Sequence, residues 1–258
     1  ETLVGKLFHY RQDVFVAPLD SRYYYTVRLV DEEAKRIEEG KIVSVFITAQ
    51  PGRHQTPLGK VQEVLGDSDD PETQYKVVCH QHKIPMEFPA PVLLEAESAS
   101  EPDKNEIDGR VDFRTLPTVT IDGETAKDFD DAVSIEKHEN GQFRLWVHIA
   151  DVSHYVPTDS ALDREAFGRG TSVYFPDRSI PMLPEKLSNQ LCSLNPGVDR
   201  LTLSVGMEVD GQGDLQSCEF YRSIIHSNER MTYTAARKIL IDRDEPLRKR
   251  YQDLLENL

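Results

Sequence analysis

The sequence predicts an α+β protein in which a small OB-like β-barrel precedes a mixed α/β unit. Three observations predict it. Residues 3 to 65 hold five short segments rich in β-branched and aromatic residues, separated by turn-like stretches. From residue 111 onward, strand patterns are interspersed with helix patterns that carry their own caps. Between the two, residues 95 to 108, EAESASEPDKNEID, carry six acids and one lysine and read as a solvated linker.

The five segments are LVGKLFHY, VFVAPL, YYYTVRLV, KIVSVFITA and LGKVQEVLG, with DEEAKRIEEG as a helical insertion. Five strands is the count of an OB barrel, a fold that commonly binds single-stranded nucleic acid. Period-2 reading of RYYYTVRLV puts Tyr23, Tyr25, Val27 and Leu29 on one face and Tyr24, Thr26 and Arg28 on the other. The first set is expected in the core. Tyr24 and Arg28 suit a stacked base beside a phosphate, or else Tyr24 packs on a neighbouring strand. QYKVVCHQHKIP and the proline-rich IPMEFPAPVLL lead to a boundary near residue 95. The expected division is therefore 1–94 for the barrel, 95–109 for the linker and 110–258 for the second unit.

In the second unit VDFRTLPTVTID and AVSIEKHENGQFRLWVHIADVSHYV read as strands, with Glu139, Asn140 and Gly141 as a hairpin turn. SALDREAFGRG reads as a helix with Ser160 as N-cap and Gly168 or Gly170 at its end. LTLSVGMEVD and LQSCEFYRSIIHS return to strand. YTAARKILIDRDEPLRKRYQDLLENL reads as helix interrupted at Pro246.

Net charge is −15, from 45 acidic and 30 basic residues, which counts mildly against a nucleic-acid partner. No apolar run has membrane-spanning length, so no membrane partner is expected. ETLVGKLFHYRQ lacks a secretory signature, and Cys79, Cys192 and Cys218 show no CxxC spacing. A cytoplasmic protein with small buried cysteines, and neither disulfide framework nor zinc site, is expected.

The densest chemistry lies in TIDGETAKDFDDAV, residues 120 to 133, which places Asp122, Asp128, Asp130 and Asp131 within ten positions. Like charges this close destabilise a compact state unless something positive joins them. The segment is either a solvated acidic loop or a site that holds cations. Asp122 ends a strand pattern, Gly123 permits a turn, and Asp130 and Asp131 precede the next strand, so two antiparallel strand ends can gather all four carboxylates. Hard oxygen donors without His or Cys point to Mg²⁺ or Mn²⁺ rather than zinc. An EF-hand is excluded, because DFDDAVSIEKHE lacks glycine at the sixth loop position and runs into strand.

TVTIDGETAKDFDDAV, LWVHIADVSHYV and GTSVYFPDRSIPMLPEKLSNQLCSLNPGVDRLTLSVGMEVD, in this order, closely resemble the RNB catalytic domain of the ribonuclease II/ribonuclease R exoribonucleases. GKLFHYRQDVFVAPL and GKVQEVLGD resemble the second cold-shock domain that precedes it. The resemblance implies processive 3′–5′ degradation of single-stranded RNA to nucleoside 5′-monophosphates with Mg²⁺. It implies metal ligation by Asp122, Asp128 and Asp131, with Asp130 on the second metal and the attacking water. It also implies that Tyr174, in SVYFPD, packs near the 3′-terminal nucleotide and that Tyr233, in RMTY, contacts RNA.

The family's arginine-rich SPIRRY-like segment, the aromatic that clamps the terminal base opposite Tyr174, its S1 domain and its first cold-shock domain are not found in these 258 residues. The chain is therefore expected to be a piece of such an enzyme, with the remaining C-terminal part as a partner and little activity alone. A non-catalytic RNA-binding module is the alternative. His148, His154 and His226 are expected to be structural, since metal-dependent phosphodiester hydrolysis needs no histidine base.

Overall fold

Apolar residues at alternate positions build the first five strands. The computed structural model describes residues 2–50 and 55–252, and its contacts divide the chain into units Glu1–Glu87 and Phe88–Leu258. In the first, β1 (Thr2–Tyr10), β2 (Asp13–Pro18), β3 (Val27–Leu29), β4 (Ile42–Ala49) and β5 (Leu58–Gly66) close into a barrel in the order β1-β2-β3-β5-β4. This is the expected OB architecture. Leu7, Val16, Val27, Val43 and Val45 fill its interior. At Gly5 the barrel closes tightly, since a Cβ there would collide with Val16 and the Ala17 carbonyl of β2.

One strand is shorter than expected. YYYTVRLV is strand only at Val27–Leu29; ahead of it, the Tyr23 and Tyr25 rings pack edge to face at 5.7 Å. The inside–outside alternation survives: Val27 and Leu29 are buried, while Tyr24 is 95% exposed. DEEAKRIEEG forms a 3-10 turn, Glu32–Arg36, which buries Ala34. QYKVVCHQH belongs to a helix, α1 (Pro71–His82), whose first turn is capped by the Asp70 carboxylate accepting from the Glu72 and Thr73 N–H groups. Val77 of α1 packs with Val4, Ile42 and Leu65 of the barrel.

The second unit begins with α2 (Ala90–Ser98) and α3 (Lys104–Ile107), so residues 95–109 are not a solvated linker. Val92 and Ala96 enter the same core cluster as Leu162, Leu187 and Leu191. The acids that made the stretch look like a linker have structural partners. Glu95 accepts the Ala161 and Leu162 N–H groups, Asp103 and Glu106 form a capping box, and Glu101 pairs with Arg200 at 2.8 Å.

β6 (Val111–Asp112), β7 (Thr118–Asp122), β8 (Asp131–Lys137) and β9 (Phe143–Ala150) follow, with His138 and Gln142 closing the β8–β9 turn. DVSHYV is a helical turn, α4 (Val152–Tyr155), not strand. α5 (Ala161–Arg169) is capped by Ser160 and ends at Gly170, whose φ of 74° suits glycine. β10 (Val173–Tyr174) and β11 (Ser179–Ile180) form a small separate hairpin, and a π-helical turn spans Lys186–Leu191. β12 (Asp199–Val209), β13 (Leu215–His226) and β14 (Glu229–Thr232) complete a seven-stranded sheet in the order β14-β7-β8-β9-β12-β13-β6.

α6 (Tyr233–Leu240) and α7 (Glu245–Arg250) end the described chain. Pro246 does not interrupt a helix; it stands in the first turn of α7, where its missing N–H costs nothing. The break lies before it, at Arg243, with φ of 54°. Cys79 and Cys192 are buried as expected, but Cys218 is exposed.

Candidate active site

β7 runs between β14, to which it is parallel, and β8, to which it is antiparallel. Its short ladder with β8 pairs Thr118 with Ser134 and Val119 with Val133. The chain therefore leaves the sheet at Asp122, crosses residues 123–130, and re-enters at Asp131 on the adjacent strand. An antiparallel neighbour starts where its partner ends, and this places Asp122 and Asp131 at the same end of the sheet.

The connecting loop is fastened from below. Phe129 is buried, its N–H donates to Ser193 Oγ at 3.0 Å, and its carbonyl accepts from the Leu194 N–H at 2.9 Å. Ser193 Oγ donates in turn to the Lys127 carbonyl at 3.0 Å. With Phe129 anchored in the core, its neighbours Asp128 and Asp130 are left half-buried and exposed, respectively.

The carboxylates feel one another. The Asp130 pKa is raised, first by the protein crowding its carboxyl and then by the charges of Asp128, Asp131 and Asp122. Asp122 is also raised, by partial burial and by Asp131, with Arg230 pulling the other way. Tyr174 Oη donates to Asp128 Oδ2 at 2.6 Å, and that bond is the main reason its own pKa is raised. Tyr174 is 67% exposed, so it is not a core tyrosine.

Four carboxylates with no His or Cys among them match a hard divalent cation in donor chemistry. Among the described residues, no three His, Cys, Asp or Glu side chains are drawn tightly enough to enclose an ion. Mutual repulsion and the Tyr174 bond to Asp128 both favour the looser spacing.

The structure brings Asp122, Asp128, Asp130, Asp131 and Tyr174 together. Tyr233, 63% exposed, follows Thr232, which pairs with Asp122 across the β14–β7 ladder, and so stands at the same strand end. Tyr24 and Arg28 belong to the barrel unit, where Arg28 lies 3.9 Å from Asp13. The histidines hold structural positions. His148 is buried between Ser134 and Ser204, His154 meets Glu106 at 3.1 Å, and His226 meets Asp199 at 2.8 Å.

Two residues were missed in the sequence. Arg230 donates to the Gly123 and Glu124 carbonyls, and Ser193 holds the loop from beneath. A lone serine between Cys192 and Leu194 in an apolar run was the available signal for the second; nothing distinguished Arg230 from other basic residues.

The family model described as the RNB domain matches residues 110–258, and that described as the cold shock domain matches residues 15–89. The chain is 45% identical to "Ribonuclease R" of Vibrio parahaemolyticus over 258 residues, covering 99% of this chain and 31% of the relative. It thus spans about a third of the length of the curated relatives it matches. Among solved structures, the RNase R of Mycoplasma genitalium in complex with double-stranded RNA superposes with a TM-score of 0.87 at 31% identity, over 95% of this chain and 43% of that one. The yeast pseudonuclease Ssd1 shares the fold, with a TM-score of 0.74 at 18% identity, over 100% of this chain and 33% of that one.

Proposed function

The chain belongs to the RNB domain family, and from that premise we propose that its four clustered aspartates form the cation-holding part of a 3′–5′ exoribonuclease site. One observation carries the reading: the ends of β7 and β8 gather four mutually interacting carboxylates, with an exposed tyrosine bonded to one of them.

In this reading Asp122, Asp128 and Asp131 hold Mg²⁺ or Mn²⁺, and Asp130 serves a second ion and orients the attacking water. Bound there, such a cation stabilises charge on phosphodiester oxygens and acidifies water. The remaining work falls to the chain. Tyr174, fixed by Asp128, offers its ring to the 3′-terminal nucleotide of single-stranded RNA, and Tyr233 contacts the strand from the end of β14. On the barrel, exposed Tyr24 stacks a base and Arg28 meets a phosphate. Processive release of nucleoside 5′-monophosphates, in the cytoplasm, is the activity proposed for the whole enzyme.

These 258 residues alone should hydrolyse slowly. They contain no arginine-rich SPIRRY-like segment to orient the phosphate, and lost positioning commonly costs orders of magnitude in rate. The remaining C-terminal part of the enzyme is the partner expected to supply it. The test is mononucleotide release from labelled poly(A), with Mg²⁺ or with EDTA, by the parent chain and Asp130→Asn. Slow release that needs Mg²⁺ and disappears in the variant, with RNA retention unchanged, supports the reading. Retention of RNA with no release under any condition identifies a non-catalytic RNA-binding module instead.

A further inference from the structure

Arg230 stands close enough to Asp122 and Glu124 for its charge to lower both their pKa values, yet among the described residues it forms no ion pair with either. Its Nη2 donates instead to two backbone carbonyls, Gly123 at 2.5 Å and Glu124 at 3.0 Å, at the start of the aspartate loop. Its guanidinium carbon lies 5.5 Å from the Phe129 ring centroid, near the loop's other end. One planar group thus spans the loop from its first residues to its buried anchor. The arginine is itself fixed, because β14 pairs Arg230 with Thr120 of β7. A second tie runs parallel to it: Thr234 Oγ1 donates to Glu124 Oε1 at 2.6 Å.

We propose that Arg230 is a positioning residue, which holds loop 123–130 in the shape that presents the aspartates to a divalent cation. It acts through its carbonyl bridge and its contact with Phe129, not by cancelling acidic charge. The inference rests on the cation-holding reading of the site.

The two roles differ in sign. A guanidinium near a cation site repels the cation, so deleting a mere counter-charge tightens binding. Deleting a brace loosens the loop and weakens binding. Lysine keeps the charge but lacks the planar guanidinium that reaches both carbonyls while lying against the Phe129 ring.

The experiment is calorimetric titration of Mn²⁺ into the 258-residue chain, its Arg230→Met variant and its Arg230→Lys variant, with circular dichroism as the check on folding. Amide hydrogen exchange of residues 124–130 is measured alongside. Both variants are expected to bind Mn²⁺ at least about tenfold more weakly, as loss of a supporting contact to metal ligands commonly causes. Exchange in the loop should quicken in both. Tighter binding by Arg230→Met with parent-like binding by Arg230→Lys overturns the proposal in favour of a counter-charge. Parent-like affinity and exchange in both variants overturns it outright. If Arg230→Met does not fold, Arg230→Lys decides by the same criteria. Failure of the parent chain itself to bind Mn²⁺ removes the cation-holding reading, and the inference with it.

Discussion

The two units bury different things. The barrel's main core cluster is aliphatic throughout, from Leu3 and Leu7 to Val45 and Ile47, and its buried Ser44 hydroxyl has no hydrogen-bond partner. The sheet of the second unit carries a polar row through its interior. Thr118 meets Ser134 at 2.7 Å, Ser134 meets His148 at 3.1 Å, His148 meets Ser204 at 2.6 Å, and Ser204 meets Ser223 at 2.6 Å. That row crosses β7, β8, β9, β12 and β13. A one-residue slip turns the buried face of either sheet outward, and in a polar row it also strands buried donors and acceptors. Thr118 and Ser134 are also one of the paired positions that set β7 against β8. The polar row therefore adds a second constraint on the register that juxtaposes Asp122 and Asp131. In the barrel the aliphatic alternation sets the register without such a row.

The largest effect expected from breaking this contrast is at Arg110. Its Nη2 pairs with Asp151 at 2.7 Å, with the two side chains only 3% and 2% exposed. Burial pushes the Asp151 carboxyl up, but hydrogen bonds from Arg110 and Ser153 prevail and hold it below its ordinary value. Arg110→Met leaves that carboxylate buried without its ion-pair partner, held among the described residues only by the Ser153 hydroxyl, at a cost of about 3–5 kcal/mol. Trp146 is the sole tryptophan and lies in this unit, so its fluorescence during denaturation reads the loss there.

Next comes pH. Burial lowers the His148 pKa from 6.5 to about 4. The unfolded chain takes up a proton near 6.5 that the folded chain refuses until about 4. The stability that His148 contributes is therefore complete above pH 6.5 and is lost through that window, by about 3 kcal/mol when both limits are crossed. Denaturation of the parent and His148→Asn at pH 7 and pH 4.5 checks this, and the variant should lack that part of the slope.

The smallest effects sharpen the contrast most cleanly. Ser134→Ala leaves the buried His148 Nε2 without its partner, while Thr118 keeps its bond to the Leu116 carbonyl, and should cost about 1–3 kcal/mol. Ser44→Ala removes an unsatisfied hydroxyl and should change stability by about zero or slightly raise it. Paired denaturation curves for the two substitutions give the comparison. Equal costs would mean that the polar row does no more than the aliphatic core.

What was legible in the sequence followed from local pattern. The barrel strands, the β8–β9 turn and the Ser160 cap each announce themselves within a few residues. The strand ends at Asp122 and Asp131 were legible for the same reason, since a β-branched run stops at one and starts at the other. Residues 95–109 misled because caps and solvated linkers draw on the same residues; Glu95 reveals its role only through α5, 66 residues away in sequence. Arg230 stayed hidden because its partners are backbone carbonyls 107 and 106 residues distant, and carbonyls carry no side-chain signature.

The most direct test of the central claim, that two strand ends assemble a divalent-cation site, is a Mn²⁺ titration of the ¹⁵N-labelled chain followed by paramagnetic broadening. Broadening is expected to centre on the amides of residues 122 and 128–131 at the lowest Mn²⁺ levels and to disappear in Asp130→Asn. Broadening spread evenly over the other acidic stretches, residues 67–70 and 95–108, or unchanged in the variant, would contradict the claim.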